Sequence, residues 1–151
     1  MLTRTLDEIL QDFGSGMGLD LSFDEKGVCR LELAKLAAVD IKANEEDGTL
    51  TLSSVVREEL PDPITYSTLL DLLALALDPA HRGGNSPVVG RDDESGFVVM
   101  YEVATPSVLN RRPLADIFSE FLKTYSAVSA LLDNQEAVAA KAKADAAPAG
   151  M

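Results

Sequence analysis

The run VCRLELAKLAAVDIKANEEDGTLTLSS, residues 28–54, decides the fold. Cys29, Leu31 and Leu33 alternate with Val28, Arg30 and Glu32. A strand turns successive side chains to opposite faces, so this is a strand with one buried face. Val39, Ile41 and Ala43 opposite Asp40, Lys42 and Asn44 repeat the pattern. The acidic turn Glu45-Glu46-Asp47-Gly48 reverses the chain, and Leu50, Leu52 and Ser54 opposite Thr49, Thr51 and Ser53 make a third strand paired to the second as a hairpin. The three strands form an antiparallel meander, entered through a turn over Asp24 to Gly27.

Upstream, Leu6, Ile9, Leu10 and Phe13 fall at helical spacing, and Thr5 with Glu8 matches a capping box. Gly14, Gly16 and Gly18 end that helix, since glycine tolerates the left-handed geometry beyond a helix C-terminus. Downstream, Asp62 and Pro63 read as the cap and first turn of a second helix, running to about Leu77. Its leucines at 69, 70, 72, 73, 75 and 77 cover more than one stripe, so it buries two faces, one on the sheet and one on another surface. Residues 78–87 form a loop. Val88-Val89-Gly90 and Phe97 to Val103 then flank the turn Asp92 to Gly96 as a hairpin. Phe97, Val99, Tyr101 and Val103 line one side of its second strand, while Val98 and Met100 are apolar on the other, as in a strand covered on both sides, central or at an interface.

Pro113 opens the last helix, with Leu114, Ile117, Phe118, Phe121, Leu122, Tyr125, Val128 and Leu132 in register over about five turns. Beyond Asn134 the Ala-rich tail has no large apolar residue after Val138, and fraying followed by disorder is expected there. The spacing therefore predicts an α+β fold of order α-β-β-β-α-β-β-α: an antiparallel twisted sheet packed with helices, a domain over residues 1–133 and a tail over 134–151.

The chain has 151 residues, 46% of them hydrophobic, enough for a single core without metal or disulfides. The lone Cys29 cannot pair within the chain, the first twelve residues lack the pattern of a secretory signal, and no stretch reaches the roughly 20 apolar residues of a membrane span. A soluble protein of a reducing cytoplasm is expected. A net charge of -12 argues against a nucleic-acid partner, whose phosphates require clustered Lys and Arg. A neutral or basic protein partner fits better, and acidity that merely keeps the chain soluble is an equally good reading.

Little here suits catalysis. Cys29 lies on the apolar face of a strand, and His81, the single histidine, in a loop with no third group to orient it. Gly14 to Gly18 follows a helix rather than a strand, unlike a phosphate loop. Glu45-Glu46-Asp47 and Asp92-Asp93-Glu94 lack the alternating ligands of a calcium loop and read as polar turns. No enzyme, metal or cofactor is expected.

The order of elements, the leading helix Leu6 to Gly14, the phrase Leu21 to Leu31 entering the first strand, the strand ending Leu50-Thr51-Leu52-Ser53, the leucine helix running to a Gly-Gly loop, and Val88-Val89-Gly90-Arg91-Asp92 before the final strand and helix are similar to the class I type III secretion chaperones, the Tir chaperone family, over about residues 3 to 133. The resemblance implies a homodimer in the bacterial cytoplasm. It would bind the N-terminal chaperone-binding segment of a secreted effector, keeping it extended and export-competent without nucleotide or cofactor. It also implies dimer contacts from the second helix and the late strands, here Leu69, Leu72, Leu73, Ala76, Leu77, Val98 and Met100. Effector contacts fall on the first helix and neighbouring sheet, here Leu6, Leu10, Phe13, Leu31 and Leu33. For Phe13 and Leu31 a plain core role is an equal reading. A regulatory protein on the same scaffold, sequestering a secretion activator, is the alternative function.

Overall fold

The structure, a computed structural model, describes residues 1–34, 37–76 and 87–146. The meander is present as β1 (Val28–Leu33), β2 (Ala37–Asn44) and β3 (Thr49–Arg57), with Cys29 opposite Ile41 and Ile41 opposite Leu52. β4 (Val88–Arg91) and β5 (Val98–Ala104) form the later hairpin. β5 pairs antiparallel with β3, so the sheet runs β1-β2-β3-β5-β4, with β5 in an interior position and β4 and β1 at the edges.

Local chemistry makes the turns. Asp24 accepts hydrogen bonds from the amides of Lys26 (2.8 Å) and Val28 (3.0 Å), and these hold its carboxyl below the usual carboxylate range. Asp92 does the same for the second hairpin, accepting from the hydroxyl (2.7 Å) and amide (3.1 Å) of Ser95, which lowers its pKa. Gly48 and Gly96, at φ 70° and 77°, supply the left-handed residue each turn requires.

Helix α1 (Leu6–Gly16) is capped as the sequence predicts: Thr5 Oγ1 accepts from the Glu8 amide and Glu8 accepts from the Thr5 amide, both at 3.1 Å. Gly14 serves packing rather than a left-handed stop. A Cβ there would lie 2.8 Å from the Leu19 carbonyl oxygen and 2.9 Å from Leu21 Cγ, so only glycine lets the chain fold back over the helix end. Helix α2 (Tyr66–Ala76) starts later than the Asp62-Pro63 entry predicted. Thr65 is its cap instead, with Oγ1 accepting from the Thr68 amide at 3.2 Å.

Helix α3 (Pro106–Arg111) is absent from the sequence-based order. Thr105 caps it and Pro106 occupies its first turn, but six residues with only Val108 and Leu109 buried are too few to register as a period. Helix α4 (Leu114–Ala146) covers the inner face of the sheet with Leu114, Ile117, Phe118, Phe121, Tyr125, Val128 and Leu132. It runs past Asn134 to Ala146. Gln135 and Ala139 continue the buried stripe of Val128 and Leu132, and alanine is the strongest helix former.

The inner face is apolar except at Ser54, whose hydroxyl donates to the Ala38 carbonyl at 2.7 Å, and at Glu102. Cys29, Ile41, Leu52 and Glu102 lie in register across four strands, and Glu102 is only 5% exposed. Burial and the nearby Glu120 carboxylate push Glu102 up to about 7, against a smaller lowering by Arg112. Arg112 grips Glu120 with two guanidinium contacts, at 2.8 and 3.1 Å. Because the folded-state value lies above the ordinary 4.5, the contribution of Glu102 to stability is complete below about pH 4.5 and is lost as pH rises through 7. Glu102→Gln, neutral throughout, is therefore expected to exceed the wild type in stability at pH 8, by on the order of 3 kcal/mol at most, and to lose that advantage near pH 4.5. Urea unfolding of both proteins at the two pH values checks this, and an equal difference at both contradicts it.

Candidate functional site

Strand parity sorts the sheet into two faces. Val98, Met100, Glu102 and Ala104 point into the core, while Val55, Val88, Tyr101 and Val103 stand on the opposite face, each 37–45% exposed. A cleft of about 700 Å³ lies on this outer face, lined by Arg30, Asp40, Thr51, Ser53, Val55, Val99 and Tyr101 among others. Arg30 and Asp40 approach to 3.5 Å there. The cleft is thus polar toward β1 and β2 and apolar toward β5.

A second apolar surface belongs to α2. Leu72 packs half-buried against the core, whereas Tyr66, Leu69, Leu70 and Leu73 project outward, Leu73 at 62% exposure. Leu60, Leu69, Leu72, Leu73, Val89 and Val98 line an apolar groove of about 280 Å³ between α2 and β4. Exposed leucines in such density on one helix mark a face suited to a protein partner.

The residues expected at a dimer interface therefore divide. Leu69 and Leu73 are exposed on α2, Leu72 lines the groove, and Ala76 closes the helix; Leu77 lies outside the described residues. Val98 and Met100, at 3% and 0% exposure, belong to the protomer's own core, and the face of β5 open to a partner is that of Val99, Tyr101 and Val103. Both parities of β5 are apolar, so alternation alone does not say which of them faces the protomer's own core.

The residues expected to dock an effector also sit largely inside. Leu6, Leu10, Phe13 and Leu31 are all under 9% exposed, and Phe13 meets Phe118 with ring centroids 5.0 Å apart. Their side chains seat α1 and β1 on the core, and of the five only Leu33 is half-buried. Met17 and Leu19, after α1, are more than 40% exposed, and β1 among the described residues pairs on one side only. Sequence reasoning missed Met17 and Leu19 because no periodic element contains them.

Cys29 is buried, and burial, followed by the charges of Asp24 and Asp40, raises its thiol pKa, the opposite of an activated nucleophile. His81 falls outside the described residues. Among the described residues no three His, Cys, Asp or Glu side chains gather to hold a metal, and no helix is long and apolar enough to cross a membrane.

The fold leaves two apolar surfaces exposed, one on α2 and one on the outer face of the sheet. The chain belongs to the Tir chaperone protein (CesT) family, whose model matches residues 8–129. Its fold is that of solved chaperones of type III secretion. It superposes on the HopA1–SchA chaperone–effector complex with TM-score 0.63 and 21% identity, covering 83% of this chain and 91% of that one. The Yersinia pestis type III secretion chaperone SycH, in complex with a stable fragment of YscM2, gives TM-score 0.62 at 17% identity over 82% and 99% of the two chains. The heterodimeric ExoU–SpcU complex from the type III secretion system of Pseudomonas aeruginosa gives 0.65 at 18% over 86% and 99%. No curated protein matches the sequence.

The division between core and surface is measurable. Leu10→Ala should cost about 2–5 kcal/mol in denaturant unfolding, as for a fully buried leucine, while Leu19→Ser should stay within about 0.5 kcal/mol. Equal losses would place Leu10 at the surface.

Proposed function

We propose that this protein is a homodimeric type III secretion chaperone of the bacterial cytoplasm, which binds the N-terminal segment of a secreted effector and keeps it extended for export. The observation that carries the reading is the outward leucine face of α2 on a chain of this family: Leu69, Leu70 and Leu73 side by side with Tyr66, open on a protein whose core is already filled. A second copy burying this face removes a surface that water disfavours. The groove between α2 and β4 gives the contact depth.

For the effector, the reading favours the opposite edge of the sheet. β1 has backbone groups with no strand beside them among the described residues, and an extended segment adding there gains main-chain hydrogen bonds. Met17, Leu19 and Leu33 are the apolar side chains nearby in sequence for its alternate residues. Contacts spread along such a path supply affinity without a catalytic step. That the solved relatives include a chaperone–effector complex supports this choice of partner.

Light scattering should give the purified protein twice the mass of its 16.1 kDa chain. Leu73→Asp, which sets a charge in the dimer contact, should give a folded monomer. A Leu73→Asp protein that remains dimeric contradicts the placement. Co-expression with N-terminal segments of secreted proteins from the same bacterium should yield a complex of two chains with one segment, and failure of every segment to copurify contradicts the effector reading.

A further inference from the structure

Helix α2 rests on α4 through polar contacts that the family reading does not use. Gln135 of α4 is 2% exposed. Its Oε1 accepts from the hydroxyls of Thr65 at 3.0 Å and Thr68 at 2.7 Å, and its Nε2 donates to the Pro63 carbonyl at 2.7 Å. Thr65 is the residue that caps α2, so one buried amide holds both the cap and the first turn of the helix. Six residues upstream of Pro63, at Arg57, the same connection is fastened again. A bulge between Val55 and Arg57 interrupts the β3–β5 register, and the Arg57 guanidinium reaches Asp133, Glu136 at 2.9 Å and the Ser129 carbonyl at 3.3 Å on α4. A bulge re-aims a side chain in this way.

We infer that the part of α4 around and beyond Asp133 is the seat that orients α2 for its partner, with Gln135 as the positioning residue. Apolar packing alone tolerates sliding and rotation of a leucine-rich helix, because any of its leucines can fill the same space. An amide with two acceptor contacts and one donor contact is satisfied in a single register, and a shift of α2 leaves buried polar groups unpaired. Gln135 thus commits Leu72 to the core and leaves Leu69, Leu70 and Leu73 outward. It also gives a reason for the ordered helix beyond Asn134, which the sheet by itself does not require. The inference rests on the reading of α2 as the dimer face, and it names what sets the direction of that face.

Two full-chain variants test it. Gln135→Met keeps the bulk and removes the hydrogen-bonding groups, and Thr68→Val removes one contact from the other side. Both are made in wild type and in the Leu73→Asp background, where a partner no longer shields α2. Hydrogen exchange over residues 66–76 is expected to quicken roughly tenfold or more in each, with residues 39–42 and 50–54 unchanged. The Gln135→Met/Thr68→Val double variant should be no faster than Gln135→Met, since the contact that Thr68→Val removes is already lost in Gln135→Met. In the wild-type background Gln135→Met should weaken dimerisation roughly tenfold. Unchanged exchange over 66–76, or quickening equally spread through the sheet, overturns the inference. If Leu73→Asp stays dimeric the dimer-face reading fails, and the exchange result still decides whether Gln135 seats the helix.

Discussion

The packing of α4 against one face of the sheet is the constraint on which everything else rests. Phe121, Val128 and Leu132, fully buried on the helix, meet Ile41, Leu50, Leu52 and Met100 from three strands. A five-stranded sheet with one apolar face must cover it, and a 33-residue helix is long enough to do so and to continue beyond it. Once that face is covered, α1 closes the remaining side through Leu6, Leu10 and Phe13, and α2 is left at the margin beside β4. The core is then complete without the outer leucines of α2, which is why those leucines are available to another molecule.

Two buried polar residues modify this core for different ends. Glu102 interrupts an apolar cross-strand row and is held near a carboxylate carrying an arginine partner, at a cost that grows as it ionises. Gln135 has partners at both ends of its amide, and on the inference drawn above it makes the far end of α4 a template for the neighbouring helix. Arg57, turned off the sheet by the bulge, ties the same connection at its other end.

Much of this was legible from the residues. The alternation of Cys29, Leu31, Val39, Ile41, Leu50 and Leu52 gave the meander and its buried face. The turn residues Asp24, Gly48 and Asp92 and the Thr5–Glu8 box placed the reversals and the first helix. The order of elements led to the family and the α+β class. What the sequence left open has physical causes. In β5 both parities are apolar, so alternation alone does not reveal that Val98 and Met100 are buried within the protomer. In α1 the apolar stripe was real, but a stripe alone does not say whether its occupant is the same chain or another, and here it is the same chain. Helix α3 was too short to show a period. The hold of Gln135 on Thr65, Thr68 and Pro63, about 70 residues away, has no signature in a single sequence.

On the proposed function the surface divides: the stripe on α1 is core, the edge of β1 that has no strand beside it among the described residues would receive an extended segment, and the outer face of α2 would receive a second copy. Hydrogen exchange of the full chain, alone and bound to the N-terminal segment of a copurifying secreted protein, tests this most directly. The account predicts new protection of the amides over Val28–Leu33, with α2 protected equally in both states because the dimer already covers it. Protection that appears on α2 and leaves Val28–Leu33 unchanged would contradict it.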